Sequence, residues 1–405
     1  MLSKLKEPGA LALTLAAAGI LMVTMGARQS VGLFVGPINT STGLGIATIS
    51  FALAVAQFTW GAIQPLAGAA ADRWGPRAVL VIGIVLMALG TALTPLADSG
   101  FGLIFTQGLL VAIGAGAGSF SVLIGAAAQR MSAEARGAAS GVINAGGSLG
   151  QFVFAPLTQK LIQMLGWMGA MVTLAVVSLA ALPLVGKLTR GSHGHGAVAS
   201  TPDGGLRQAL RTALGDRSYL LLHAGFFTCG FHIAFLVTHL PTEVDLCGLP
   251  PTVASTSLAL IGLANIVGSL VVGHLVGVYR SKMILALMYA SRALLIGWYL
   301  LMPSEPWVFY VFAIGLGLTW LATVPPTAGI VGKLFGVRYL GTLFGLTLFS
   351  HQIGGFLGAW LGGLAITRFG SYDWMWWADI ALALLAALLN LPIREAPLRP
   401  AGAAA

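Results

Sequence analysis

Long apolar stretches, broken at short intervals by charged or glycine-rich segments, set the organisation of this chain. Uncharged runs such as 78–97, 137–159 and 306–332 are as long as the roughly 20 residues a helix needs to cross a bilayer. The pattern predicts twelve helices, at 11–36, 47–69, 78–96, 101–128, 138–163, 167–187, 218–240, 252–275, 283–302, 306–331, 341–366 and 374–392. A membrane barrel would show shorter strands of alternating polarity instead. The fold class expected is therefore an all-α membrane protein.

Charge orients the helices. Of the 21 Lys and Arg residues, 17 lie in the N-terminus, the loops after helices 2, 4, 6, 8 and 10, and the C-terminal tail. Cytoplasmic segments carry such an excess, so both termini are expected in the cytoplasm. Lys160 and Arg368 lie near the opposite face, and Arg28 and Arg292 lie inside helices. Residues 188–217, rich in Gly, Ser, His and Arg, read as a cytoplasmic linker between bundles at 1–187 and 218–405, with a short basic surface helix at 207–217. His193 and His195 lie in a glycine-rich strip without fixed geometry, so no metal is expected. Lys4 and Lys6 precede an apolar run too long for a cleavable signal.

The two halves repeat. A spacing of 204 residues relates Gly26 to Gly230, Arg28 to His232 and Pro37 to Pro241, and again Gly137, Gly141 and Gly150 to Gly341, Gly345 and Gly354. Gly114 and Gly116 in helix 4 are answered by Gly315 and Gly317 in helix 10. A parallel six-helix repeat is the trace of two similar bundles rocking about a midplane site. Regularly spaced glycines let the helices approach closely.

Composition agrees. Only 8% of residues are charged, against about a quarter in soluble domains, and the mean hydropathy is +0.90. The net charge of +9 resides in the loops, which argues against nucleic acid as partner. Cys229 and Cys247 lack metal or redox spacing, and Cys229 is expected to act as a small apolar packing residue. The partners expected are the lipid bilayer and a small-molecule substrate, with no cofactor, and the chain is expected to work as a monomer.

Arg28 organises the chemistry. It follows an uncharged run from Ala10 to Ala27, and a guanidinium at that depth requires a partner, a wet cavity or a ligand. Its planar, permanently charged fork suits a carboxylate. Gln29 is its neighbour. His232 is the matching basic residue of the second half, a second anion contact when protonated and the candidate to carry a coupled proton. His239 and Asp379 are expected at the outer rim, Asp379 also being a possible partner for Arg292. Asn144 and Gln151 share a face of helix 5, and His351 and Gln352 sit in helix 11; these bind substrate or join helices. Trp320 walls the pocket or packs in the core. Pro325-Pro326 interrupts helix 10 and suggests a gating bend.

The segment Gly68-Ala-Ala-Ala-Asp72-Arg73-Trp74-Gly75-Pro76-Arg77, between helices 2 and 3, resembles the signature loop of the major facilitator superfamily. With twelve helices, the 6+6 repeat and the central linker, the resemblance covers the whole chain. It implies two bundles working by alternating access, with helices 1, 4, 7 and 10 lining the cavity. It gives Asp72, Arg73 and Arg77 the role of a cytoplasmic latch, Asp72 sitting near a helix N-terminus. The corresponding loop after helix 8 has Gly277 where an aspartate is expected. QRMSAEARG at 129–137 and KLFGVRYLG at 333–341 resemble the family's other basic loops, with Glu134 the anionic partner and Arg136 beside it.

Arg28, the segment CGFHIAFLVTHLP at 229–241 and SHQIGGFLGAWLGG at 350–363 resemble, more narrowly, the bacterial monocarboxylate and oxalate–formate exchange branch. The eukaryotic monocarboxylate carriers feature an Asp and an Arg in helix 8, which has neither here, so substrate and coupling do not transfer directly. The expectation is a carrier of a small organic anion, a monocarboxylate, in the bacterial inner membrane, with proton coupling as an option. A cation exporter would need an acidic residue at midplane, which helices 1–11 lack. A carrier of neutral or lipophilic compounds is the alternative. A membrane receptor on the same fold would predict a large extramembrane domain, and hydrolase motifs are missing.

Overall fold

The computed structural model describes residues 9–128, 133–189, 205–276, 278–335 and 340–396, almost all of them helical. The first six membrane-length helices are α1 (Ala10–Thr42), α2 (Ile46–Trp74), α3 (Pro76–Leu96), α4 (100–128), α5 (133–165) and α6 (167–189). A surface helix at Gly205–Leu214 precedes the second six. These are α7 (Arg217–Leu246), α8 (Pro251–Leu275), α9 (Ser281–Leu301), α10 (Pro306–Phe335), α11 (Leu340–Phe369) and α12 (Asp373–Asn390). The all-α fold of two six-helix repeats is as expected. His193 and His195, residues 190–204 of the 188–217 linker and the 336–339 loop lie outside the described residues.

Local chemistry explains the boundaries. Asp216 caps α7 by accepting the Tyr219 backbone N–H at 3.0 Å. The apolar run predicts this helix at 218–240, yet α7 continues through Pro241 to Leu246. The carbonyl that Pro241 leaves without its helical donor is that of Val237, and Gly32 of α1 closes against that carbonyl. Gly166 (φ +69°) separates α5 from α6, and Gly370 (φ +68°), 204 residues later, separates α11 from α12. Both dihedrals lie in the left-handed region that favours glycine.

Packing repeats as well. The α1–α5 pair recurs as α7–α11, and α2–α4 recurs as α8–α10. The halves meet along α2–α11 and α5–α8. A Cβ on Gly150 of α5 would lie 2.1 Å from the Met22 carbonyl oxygen of α1, and one on Gly354 of α11 would lie 2.0 Å from that of Phe227 of α7. Gly150 and Gly354, which recur 204 residues apart, are thus points where backbones touch.

At one end of the bundle, residues 391–396 strap the second half together. Glu395 accepts from the Lys282 backbone N–H at 2.6 Å and from Lys333 Nζ at 2.7 Å. Arg394 donates to Asp216 at 2.9 Å, and Ile393 is fully buried. Burial pushes the Glu395 carboxyl up, but the Lys282 N–H and the Lys333 ammonium outweigh it and hold the group below the usual glutamate range.

Two tests follow from this packing. Gly354→Ala must push α7 and α11 apart and is expected to cost about 1–3 kcal/mol, whereas Gly345→Ala, facing open space, leaves the detergent melting temperature within a degree or so of wild type. The strap's test is pH-dependent. A lowered folded-state pKa adds stability that is present above the ordinary glutamate value, near pH 4, and is lost as pH falls through the folded value. Glu395→Gln should therefore lower the melting temperature at neutral pH, and the difference should close in acid.

Candidate functional site

α1 is not a uniform helix. Its α-helical part ends at Gln29, a 3-10 turn covers Val31–Phe34, and α-helix resumes to Thr42. Ser30 answers part of the break by donating its hydroxyl to the Gly26 carbonyl at 2.9 Å. Arg28 and Gln29 therefore sit in the last turn before an interruption. α10 is interrupted at a similar depth: its first part ends at Thr319, Leu321–Thr323 form a 3-10 turn, and Pro325-Pro326 follow. Two successive prolines withdraw two backbone donors.

Between the halves lies a cavity of about 650 Å³ lined from α1, α2, α4, α5, α7, α8, α10 and α11. The expected four helices all contribute, and four more join them. Phe51 of α2 meets Phe356 and Trp360 of α11 at ring separations of 6.0 and 5.7 Å, and with Gly32 on Val237 these contacts seal one end. The lining continues toward the other end through Asn144 of α5 and Phe344 of α11 to Gly273 and His274 at the close of α8. That end carries the Gly75 turn and the 391–396 strap.

Arg28 lines the cavity, donates to Gln57 of α2, and places its guanidinium carbon 4.2 Å from the Trp60 ring centre. An amide and an aromatic face hold it in place without cancelling its charge. Among the described residues no carboxylate forms an ion pair with it. Gln29, Asn144, Trp320, His351 and Gln352 line the same cavity. The Gln29 Oε1 is buried without a partner, and the Gln352 amide lies 3.1 Å from His351 Nδ1. Apart from these groups and Gln57 and Gln64, the lining is largely apolar, with Met25, Phe120, Ile124 and Phe226 among it.

Two expected site residues are not at the cavity. Gln151 is buried on the α5–α8 contact against Gly262. His232 is fully buried behind the wall, where its Nδ1 meets the Asp379 carboxylate. Asp379 is likewise fully buried and not at the rim, because the His232 imidazole of α7 faces α12 at that level. His239 is also interior: its Nε2–H donates to the Ala359 carbonyl at 2.8 Å, and it accepts from the Tyr372 hydroxyl at 3.0 Å.

Arg292 has the partner its depth demands. It donates to the Thr319 carbonyl at 2.8 Å, at the α10 break, and lies 3.5 Å from Cys229 Sγ. Cys229 is thus more than an apolar filler. Asn265 went unnoticed in the sequence: it donates to Ser148 of α5 at 2.8 Å and accepts from the Leu321 N–H at 3.0 Å. An amide inside helix 8, opposite the Pro-Pro break, was the available signal.

At the signature loop Gly75 has φ +85°, which explains the glycine, Gly68 faces open space, and Arg77 is exposed in the first turn of α3. Asp72 and Arg73 fall in the last turn of α2, not at a helix N-terminus, and Glu134 and Arg136 fall in the first turn of α5. The side chains of these four lie outside the described ones.

A family model described as Major Facilitator Superfamily matches residues 17–359 and 248–404. Monocarboxylate transporter 13 of Rattus norvegicus is 28% identical over 331 residues, covering 80% of this chain and 73% of that protein. The oxalate:formate antiporter of Oxalobacter formigenes is 23% identical over 361 residues, covering 87% and 84%. A crystal structure of a D-xylose-proton symporter superposes with a TM-score of 0.73 at 14% identity, covering 95% of this chain and 98% of that one, a likeness of fold alone. With twelve helices among the described residues, in two repeated bundles around a central cavity, this chain belongs to the major facilitator superfamily of membrane transporters.

Proposed function

We propose that the chain is a secondary transporter of a small organic anion, a monocarboxylate, working by alternating access in a bacterial inner membrane. One observation carries this reading: Arg28 is the only permanently charged residue among the described lining residues, and its partners are neutral. A guanidinium held in this state favours an anion that neutralises it, and a single guanidinium favours one carboxylate over two. The apolar remainder of the lining suits the body of such a molecule. The names of the two carrier relatives point in the same direction.

Orientation follows from charge. The open end of the cavity coincides with the loops that hold most Lys and Arg, so it faces the cytoplasm, with both termini there. Asp72, Arg73 and Arg77, with Glu134 and Arg136, then form the latch that closes this end when the cavity turns outward. The protein works as a monomer, since the cavity is complete within one chain. A carrier of neutral lipophilic compounds is the second reading, favoured by the apolar lining; it makes Arg28 dispensable.

Uptake of radiolabelled lactate, formate, oxalate and benzoate into proteoliposomes tests the assignment. Arg28→Gln is expected to reduce uptake about 100-fold or more, and Arg28→Lys to recover little of it, because a point charge does not replace a planar fork. Normal uptake by Arg28→Gln would remove Arg28 from the site. For the latch, Asp72→Asn should shift the balance of cytoplasm-open and outward-open forms, read by spin-label distances across the open end, while equilibrium binding in detergent changes less than about threefold.

A further inference from the structure

The C-terminal half holds ionisable side chains that the anion site leaves unused. His232 of α7, Arg292 of α9 and Asp379 of α12 are each at most 1% exposed, and His232 Nδ1 meets the Asp379 carboxylate. Burying charges at this depth is costly, and apolar side chains would pack as well. The other half shows that the fold does not require them. With α6 and α12 registered by Gly166 and Gly370, the residue 204 positions before Asp379 is Ala175.

The surroundings are defined on every side. α9 contributes Arg292 and Tyr289, whose ring centre lies 5.6 Å from the guanidinium carbon. α7 contributes Cys229. α10 contributes the Thr319 carbonyl, Thr323 and Trp320, whose ring meets His232 edge-on at 6.1 Å. From α11, His351 reaches Cys229. His232 Nε2 and Asp379 Oδ1 remain without partners among the described residues. The cluster is nevertheless close to the cavity. Trp320, which lines the cavity, is also against His232, and the lining residues His351 and Thr323 both reach Cys229 beside Arg292.

We propose that the His232–Asp379 pair, held against Arg292, binds a proton that is carried together with the anion. The proposal rests on the anion-carrier reading of Arg28. In the unloaded pair a neutral imidazole shares its Nδ1 hydrogen with the Asp379 carboxylate. The arriving proton adds to Nε2, giving an imidazolium beside a carboxylate, and leaves from the same nitrogen. The cluster then passes from neutral to one positive charge. Arg28 keeps its own charge throughout, so the carrier bears one positive charge both when empty and when holding anion and proton together. With the proton alone it bears two, and with the anion alone none. Only the empty and the fully loaded forms match in charge, which makes the coupled cycle electroneutral, and each ligand favours the other's binding by the same factor.

The test uses full-length protein in proteoliposomes with the radiolabelled monoanions lactate, formate and benzoate as probes. Wild type should accumulate a probe under an imposed pH gradient and ignore a potassium-diffusion potential. In His232→Gln, Asp379→Asn and the double variant, pH-driven accumulation should fall about tenfold or more relative to counterflow exchange. The double variant restores a neutral hydrogen-bonded pair, so if it retains pH-driven accumulation the pair is structural and the proposal fails. Accumulation that follows the potential and not the pH gradient overturns it too. A second measurement needs no substrate: in protein labelled with carbon-13 histidine, the resonance lost in His232→Gln should titrate within about pH 5–9 in the folded wild type and move in Asp379→Asn. A resonance fixed across that range overturns the proposal whichever probe is carried. Failure of every probe in wild type, with the titration intact, would instead indict the reading of Arg28.

Discussion

A charge placed at the depth of the hydrocarbon core must be matched, and that constraint orders the interior of this protein. Arg292 is matched by a backbone carbonyl and stands close to a carboxylate that a histidine already holds. Arg28, at a comparable depth in the other half, is oriented by Gln57 and Trp60 and left charged. An unneutralised guanidinium in such a place survives because the cavity is there to solvate it. The position of the cavity and the position of Arg28 are therefore two aspects of one requirement.

Backbone chemistry explains why polar side chains gather at this level. A helix interrupted inside a bilayer leaves donors and acceptors that lipid cannot satisfy. The break in α1 is answered locally by Ser30. The break in α10 is answered from outside, by Arg292 at the Thr319 carbonyl and Asn265 at the Leu321 N–H. Asn265 also donates to Ser148 of the other half, so the broken segment of α10 is tied both to the buried ion cluster and to the opposite bundle. A rearrangement of that segment acts on three helices at once.

Much of this was legible in the sequence. Apolar run lengths located every helix, and the alignment of Gly150 with Gly354 foretold two backbone crossings. Arg28 was legible because a guanidinium has no bland place in a hydrophobic run. The limits were of two kinds. Helix ends past a proline, as at Pro241, depend on what packs against the freed carbonyl, and here that is Gly32, a tertiary fact. The direction in which a polar side chain points also depends on its neighbours. His232 sits in register with Arg28, yet one belongs to the cavity and the other to the interior, because α12 supplies Asp379. Near the end of a predicted helix that carboxylate read as a rim residue.

The same register explains how the two halves came to differ. Where α12 has Asp379, α6 has Ala175, and α3 opposite Arg28 offers Met87 and Thr91 around a small void in place of a second ion. Among the described residues no carboxylate pairs with Arg28 behind α1, and it reaches across to Gln57 of α2. Behind α7 a carboxylate and a guanidinium are both present, and His232 meets the carboxylate. Repetition of the fold thus fixes two basic side chains at one depth, and the presence of charged residues in place of a few small ones decides which of them faces the cavity. One half keeps its charge exposed to the cavity, while the other keeps its charges balanced among themselves, one aromatic side chain away.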